Sequence, residues 1–244
     1  MISIQTFDLK KEFGRKIAVD SLNLSVEQGE LFALLGVNGA GKTTTIRLLS
    51  CLTKPTSGDA VILGDSIVSN PMAVKQKENV SPQETAVARN LSVKENLELI
   101  ARIYGYDKKS ARMKADKMLS AFQLETVAQD RAKTLSGGMQ RRLSIAMALI
   151  SDPQILFLDE PTLGLDVLAR RDLWSIIKRL KGKITIILTT HYMEEAEALS
   201  DRIGVISKGS LKAIGTAKEL IAKTGARTFE DAFVALATES EVEI

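Results

Sequence analysis

Apolar residues recur at every second position near the start of the chain, at Ile2 and Ile4 and again at Leu22, Leu24 and Val26, a period that predicts half-buried strands. Glu30 to Leu35 (ELFALL) reads as a buried strand that runs into a glycine-rich turn. From Lys42 to Leu52 the spacing becomes helical, with Ile46, Leu48 and Leu49 on the inner side. Proline, glycine and small polar residues make 52–59 a loop, and the AVILG that follows is a short strand.

The middle third changes character. Ser92 followed by Glu95 has the spacing of a capping box, which predicts a helix to about Tyr104 that Gly105 ends. A charged amphipathic helix follows to about Phe122, and a third begins near Ser136 and stops at Asp152-Pro153. Strand and helix then alternate through ILFLD, VLARRDLWSIIKRL, ITIILTT, MEEAEALS and RIGVIS. Residues 208–210 (KGS) predict a hairpin turn, and Thr216 with Glu219 caps the first of two short helices. These elements predict an α/β fold with a core of 1–86 and 153–215, a mostly helical insert at 87–152 and helices over 216–244.

Composition narrows the function classes. With 45% apolar and 26% charged residues the chain is expected to be globular rather than disordered. A net charge of +3 is too small to argue for nucleic acid, so no such partner is expected. A single cysteine, Cys51, cannot form an internal disulfide and suits a reducing compartment. The N-terminus has no secretory apolar region, and ITIILTT is far short of the ~20 residues that span a bilayer. The expectation is a cytosolic chain that meets membranes only through a partner.

The chemistry begins at Gly36-Val37-Asn38-Gly39-Ala40-Gly41-Lys42-Thr43, which satisfies G-x-x-x-x-G-K-[ST] between a strand and a helix. Backbone N–H groups of such a loop turn inward around phosphate oxygens, helped by the positive end of the helix. Lys42 is placed to reach the β- and γ-phosphates and the Thr43 hydroxyl to ligate magnesium; Thr44 joins the nucleotide-binding set. ILFLD ends in Asp159 and Glu160 at the edge of the sheet beside this loop, which assigns magnesium to Asp159 and activation of the attacking water to Glu160. Ser136, Gly137 and Gly138 open a helix and make a second anion site. A chain with one nucleotide has no use for two γ-phosphate sites, so this one points to another subunit. His191, the only histidine, ends a strand where an imidazole reaches a phosphate. Arg141-Arg142 reads as helix surface and at most a partner contact, and Cys51 and Trp174 as core packing.

Taken together, the chain resembles the ATPase subunit of an ATP-binding cassette (ABC) transporter over essentially its whole length. The glycine loop is similar to Walker A, ILFLDE to Walker B and LSGGMQ (135–140) to the ABC signature. The resemblance implies a P-loop NTPase (RecA-like) core with an N-terminal antiparallel β portion and an inserted helical subdomain. It implies ATP and Mg2+ as cofactors, with Lys42, Glu160 and His191 catalytic and Gln83 (in SPQE) joining Thr43 and Asp159 at the metal. Phe13 resembles the aromatic that stacks on adenine. Ser136, Gly137, Gly138 and Gln140, with Asp166 in LGLD, are implied to act on the ATP of a second subunit, a copy or a related ATPase chain. The other implied partner is an integral-membrane permease, with the chain peripheral on the cytoplasmic face of the membrane. The edge between Glu84 and Asn96 is its implied groove, with Leu91 and Val93 either lining it or packing inside the helical lobe. TLGLDVLARRDLW and the segments after it are similar to bacterial exporters of drugs, antibiotics, polysaccharides and sodium. The alternatives are a soluble ABC ATPase of a non-transport complex, such as iron–sulfur assembly, and a regulatory module without turnover. Two departures from the family pattern, Phe13 for tyrosine and Leu163-Gly164 for serine-alanine, remove no ligand.

Overall fold

Ile4, Thr6 and Leu9 form the inner side of β1 (Ile2–Phe13), while Ile2, at the strand's free start, stays exposed. Asp8 at φ 45° breaks the alternation between Thr6 and Leu9. β1 turns back on β2 (Lys16–Leu22) and pairs further along with β3 (Ser25–Glu27), both antiparallel. β4 (Leu31–Leu35) is buried throughout and leads through the glycine loop to α1 (Lys42–Leu49). That helix is shorter than the predicted Lys42–Leu52. The N–H groups of Leu52 and Thr53 both close on the Arg47 carbonyl, and Cys51 sits at φ 54°. β5 (Ser57–Ile62) and β6 (Asp65–Ser66) complete the antiparallel sheet, in the order β2-β1-β5-β6 with β3 on β1. α2 (Pro71–Lys77) and β7 (Glu78–Ser81) follow, two elements that the hydrophobic pattern does not predict.

The helical stretch is α3 (Val93–Ile103), α4 (Lys108–Ala121) and α5 (Gly137–Leu149). Ser92 caps α3 with both halves of the capping box formed. The chain then runs through β8 (Ile155–Asp159), α6 (Val167–Lys178), β9 (Thr185–Thr190) and α7 (Met193–Leu199). β10 (Arg202–Ser207) and β11 (Ser210–Gly215) form the expected hairpin, and α8 (Ala217–Thr224) and α9 (Phe229–Thr238) close the chain. This computed structural model describes residues 1–238; the last residues of the expected C-terminal helical segment, 239–244, lie outside it.

The second sheet has the order β11-β10-β4-β9-β8-β7, with β11 antiparallel and the other neighbours parallel. Both its faces are covered, as a parallel sheet requires. Leu31, Ala33, Leu35, Leu156 and Leu158 face the core shared with the helical stretch. Phe32, Leu34, Ile155 and Phe157 face α1 and the antiparallel sheet. Phe32 and Phe157 are wholly buried, so truncating either to alanine costs about 3–5 kcal/mol. Register decides where the chemistry sits. Leu35 lies opposite Thr190, Asp159 opposite Thr189, and Ser81 opposite Leu158, so four separate segments end at one edge of the sheet.

Of the two places open to Val93 the structure takes the inner one, and it sets Trp174 and Cys51, both expected in the core, at its margin. Val93 is fully buried with Leu97 and Ala101 inside the helical stretch and lines no surface groove. Its N–H bonds the Asp130 carbonyl, which turns the first residue of α3 inward. Trp174 packs at the margin of the core rather than within it, its indole N–H donating to Glu195 Oε1 at 2.9 Å. Cys51 also lies at the margin of its core cluster, where burial and then nearby Glu78 push its thiol up to about 11.

Candidate active site

The glycine loop is held by close approaches that only glycine allows. A Cβ on Gly36 would fall 2.4 Å from the Ile206 carbonyl oxygen, and one on Gly41, at φ 109°, 2.4 Å from that of Ala18. Lys42 is 5% exposed and donates to the carbonyls of Gly36 at 2.8 Å and Val37 at 3.1 Å. Its third contact is an ion pair with Glu160 Oε1 at 3.1 Å. The other carboxylate oxygen of Glu160 meets His191 Nδ1 at 2.6 Å. Glu160 therefore bridges the loop lysine and the histidine, three residues that sequence reasoning had put in catalysis separately. Its backbone sits at φ 46°, in the left-handed region that a side chain rarely occupies.

Asp159 is held beside it. Thr43 Oγ1 donates to Asp159 Oδ1 at 3.2 Å, and Thr189 Oγ1 donates to the same atom at 2.5 Å. Thr189 Oγ1 also accepts the Glu160 N–H at 3.0 Å, so one hydroxyl ties both acids to β9. Among the described residues no group of three or more His, Cys, Asp or Glu is arranged to hold a metal ion by itself. A carboxylate and a hydroxyl in contact are a hard-oxygen pair that suits magnesium, an ion bound by few protein ligands together with phosphates. These residues fit it.

An open cleft of about 390 Å3 gathers most of the predicted nucleotide set, while Gly36, Val37 and Ala40 lie outside its lining, as do Asp159 and His191. Phe13, Asn38, Gly39, Gly41, Lys42, Thr43, Thr44, Gln83 and Glu160 line it, and so do Lys16 and Ala18, which sequence reasoning missed, and Leu163 of LGLD. Phe13 is 53% exposed at the rim, with Lys11 Nζ 5.0 Å from the centre of its ring. The other predicted group lies elsewhere: Ser136, Gly137, Gly138, Gln140 and Asp166 do not line this cleft. Ser136 caps α5, accepting the Met139 N–H, and Gln140 Nε2 donates to the Leu135 carbonyl. Asp166 caps α6, accepting from Leu168 and Ala169 at 2.9 Å each. The two turns are neighbours, since a Cβ on Gly138 would lie 3.1 Å from that of Ala169.

Residues 19–163, which hold the glycine loop, the signature turn and both acids, match the ABC transporter family model. The chain belongs to the ABC transporter family. It is 45% identical over 87% of its length to the doxorubicin resistance ATP-binding protein DrrA of Mycobacterium tuberculosis, and spans 64% of that relative. Over 92% of its length it is 40% identical to the linearmycin resistance ATP-binding protein LnrL of Bacillus subtilis, spanning 73% of it. Among solved structures, the ATP binding subunit of an ABC transporter overlays with a TM-score of 0.84 at 29% identity, covering 96% of this chain and 99% of that one. A dimeric, post-hydrolysis ATP-binding cassette bound to ADP and Pi overlays at 0.79 and 26% identity, covering 87% of this chain and 98% of that one. The α/β class, with its P-loop core and N-terminal antiparallel sheet, is thus the fold of ABC ATPase domains.

In this ABC cassette the largest departure from sequence reasoning is Arg141, expected on the surface of α5. It is 4% exposed and donates to five main-chain carbonyls, those of Pro82, Gln83, Asp159, Glu160 and Pro161. Burial pulls its guanidinium down to about 10, which leaves it charged at neutral pH. The signal was present in the spacing. Arg141 shares a helical face with Ser144, Ile145 and Ala148, all buried. Arg142, next to it, behaves as expected and pairs with Asp172 on the surface.

Proposed function

We propose that this chain is the ATP-binding and ATP-hydrolysing subunit of an ABC exporter, acting as a head-to-tail dimer with two nucleotides at its interface. The observation that carries the reading is Glu160 held between Lys42 and His191 at the mouth of the glycine loop. Phe13 stacks on the base and the loop amides of residues 36–41 bind the phosphates. Lys42 exchanges Glu160 for the β- and γ-phosphates. Thr43, Asp159 and Gln83 would hold a magnesium ion, which would neutralise phosphate charge. Glu160 takes a proton from the attacking water, and Thr189 and His191 hold it in place. A neutral imidazole that gives its Nδ1 hydrogen to Glu160 has none left on Nε2, so His191 donates to a γ-phosphate only as the imidazolium.

Ser136, Gly137, Gly138, Gln140 and Asp166 lie away from this cleft and serve the ATP of the partner subunit. The working division is a core of 1–86 and 153–215, a helical signature subdomain of 87–152 and C-terminal helices over 216–244. No helix among the described residues is long and apolar enough to cross a membrane. In this reading the chain docks on the cytoplasmic side of the cell membrane against an integral-membrane permease. The resistance ATP-binding proteins among its relatives favour transport over iron–sulfur assembly.

The test is a titration with MgATP. Lys42→Ala removes the loop's cation, and binding must fall by about 10²-fold or more, the loss of one charge-assisted phosphate contact. Unchanged affinity sinks the site, and a wild-type chain that binds ATP without turning it over sinks the enzyme.

A further inference from the structure

Arg141 is a buried cation with no carboxylate of the described residues in its hydrogen-bonding shell. Nε donates to the Pro161 carbonyl at 2.7 Å, and Nη2 to those of Asp159 at 2.8 Å and Glu160 at 2.6 Å. Nη1 donates to the carbonyls of Pro82 at 2.5 Å and Gln83 at 3.2 Å. Three consecutive carbonyls, 159 to 161, therefore point at one guanidinium, across the peptide units that flank Glu160 at its positive φ. Glu160 itself is otherwise fixed by its N–H to Thr189 and by its carboxylate. The same guanidinium fixes the backbone of Gln83, on a segment that comes from a different strand end. Arg141 arrives from α5, whose first turn carries Ser136, Gly137 and Gly138. Asp159, Glu195 and Glu160 balance its charge at longer range, but its hydrogen bonds all go to main-chain carbonyls, and an anchor for one loop would not reach two. This planar fork has five N–H groups, and all its bonds run to backbone at the two segments that border the cleft.

We propose that Arg141 is a positioning residue: from the signature helix it fixes the backbone of Glu160 and of Gln83 in one frame, so that a shift of that helix moves the base and the magnesium-side glutamine together. The inference rests on the ATPase reading above. Asp159 and Glu160 then owe their placement to two anchors, Thr189 on the sheet side and Arg141 on the helix side. Ligand contacts made at α5 by a second subunit are passed to chemistry through this side chain, beside the 3.1 Å contact of the Ser144 hydroxyl on α5 with that of Ser81 at the end of β7.

The test uses Arg141→Lys, which keeps the charge but gathers its donors on one nitrogen, and Arg141→Gln, which keeps a planar donor without charge. Each is compared with the unmodified chain for thermal unfolding, MgATP affinity and kcat. Arg141→Lys is expected to bind MgATP within about threefold of the parent while kcat falls about 10²-fold, the cost of a misplaced reacting group. In a Glu160→Gln background the same change is expected to add nothing further, because both lesions act on one base. A kcat within about threefold of the parent, or a loss of affinity as large as the loss of kcat, overturns the proposal. So does additivity with Glu160→Gln, and so does failure of both variants to fold, which makes Arg141 a stability residue only. A parent chain without ATPase activity defeats the proposed function itself, an outcome separate from any of these.

Discussion

Glu160→Gln perturbs two properties at once, and the geometry gives the sign of each. The carboxylate meets Lys42 at 3.1 Å with both side chains less than a tenth exposed, so ATP must take Lys42 from an existing partner. A hydrogen bond to a charged group is worth about 1.5–3 kcal/mol, and a neutral amide keeps roughly half of that. The variant should therefore release about 0.8–1.5 kcal/mol of competition and bind MgATP roughly 4- to 13-fold more tightly. Removing the carboxylate also removes its repulsion of the γ-phosphate, which acts in the same direction. ADP, which has no γ-phosphate, should gain less. Loss of the base should lower turnover by about 10²–10⁴-fold, so ATP binds and stays. Calorimetric titrations with ATP and ADP, and single-turnover hydrolysis, measure both effects. Turnover at the parent rate refutes Glu160 as the base. Weaker binding of ATP refutes the competition for Lys42, and equal gains for ATP and ADP refute the repulsion of the γ-phosphate.

The dimer can be tested by mixing subunits that carry Lys42→Ala with subunits that carry Ser136→Arg. In a mixed dimer both lesions share one composite site, so recovery of activity supports the head-to-tail arrangement, and no recovery with mixed dimers present counts against it. Glu78 gives a pH prediction. Burial pushes its carboxyl up to about 8 from the ordinary 4.5, and its Oε2 has no hydrogen-bond partner. The folded state holds this proton more tightly than the unfolded, so Glu78 costs nothing below about 4.5 and destabilises increasingly as pH rises towards about 8. Glu78→Gln should raise Tm at pH 8 by several degrees, at about 2–4 °C per kcal/mol, and change it little at pH 4.5; an equal shift at both pH values would show that ionisation is not the cause.

Much of the site was legible because it is written in contiguous residues. The glycine loop, ILFLDE and the strand before His191 each carry their chemistry within a single strand and the turn after it. What joins them is not local. The contact of His191 with Glu160, and the hydroxyl of Thr189 between two acids, depend on β8 and β9 lying in register, which periodicity does not encode. β7 escaped because ENVS has one apolar residue and sits at the edge of its sheet, too short and polar to show alternation. Val93 stayed open between groove and lobe because a capping box marks where a helix starts but not which way its first residue faces. Arg141 was misread because charge was weighed ahead of helical spacing, and the spacing was right.

The register of the parallel sheet also sets which changes the protein can absorb. Asp159, Thr189, Thr190 and the glycine loop are aligned by strand pairing rather than by loop contacts. One residue inserted into β4, β8 or β9 shifts its end by about 3.3 Å and turns every following side chain to the opposite face. The phosphate loop or the acid pair is lost together with half a core, so such a change leaves no partly active intermediate. Insertions at the exposed Gly105 turn between α3 and α4 disturb neither pairing nor core. Lineages of this chain are thus free to vary in length at their turns, while the strands that carry the chemistry can change only by substitution.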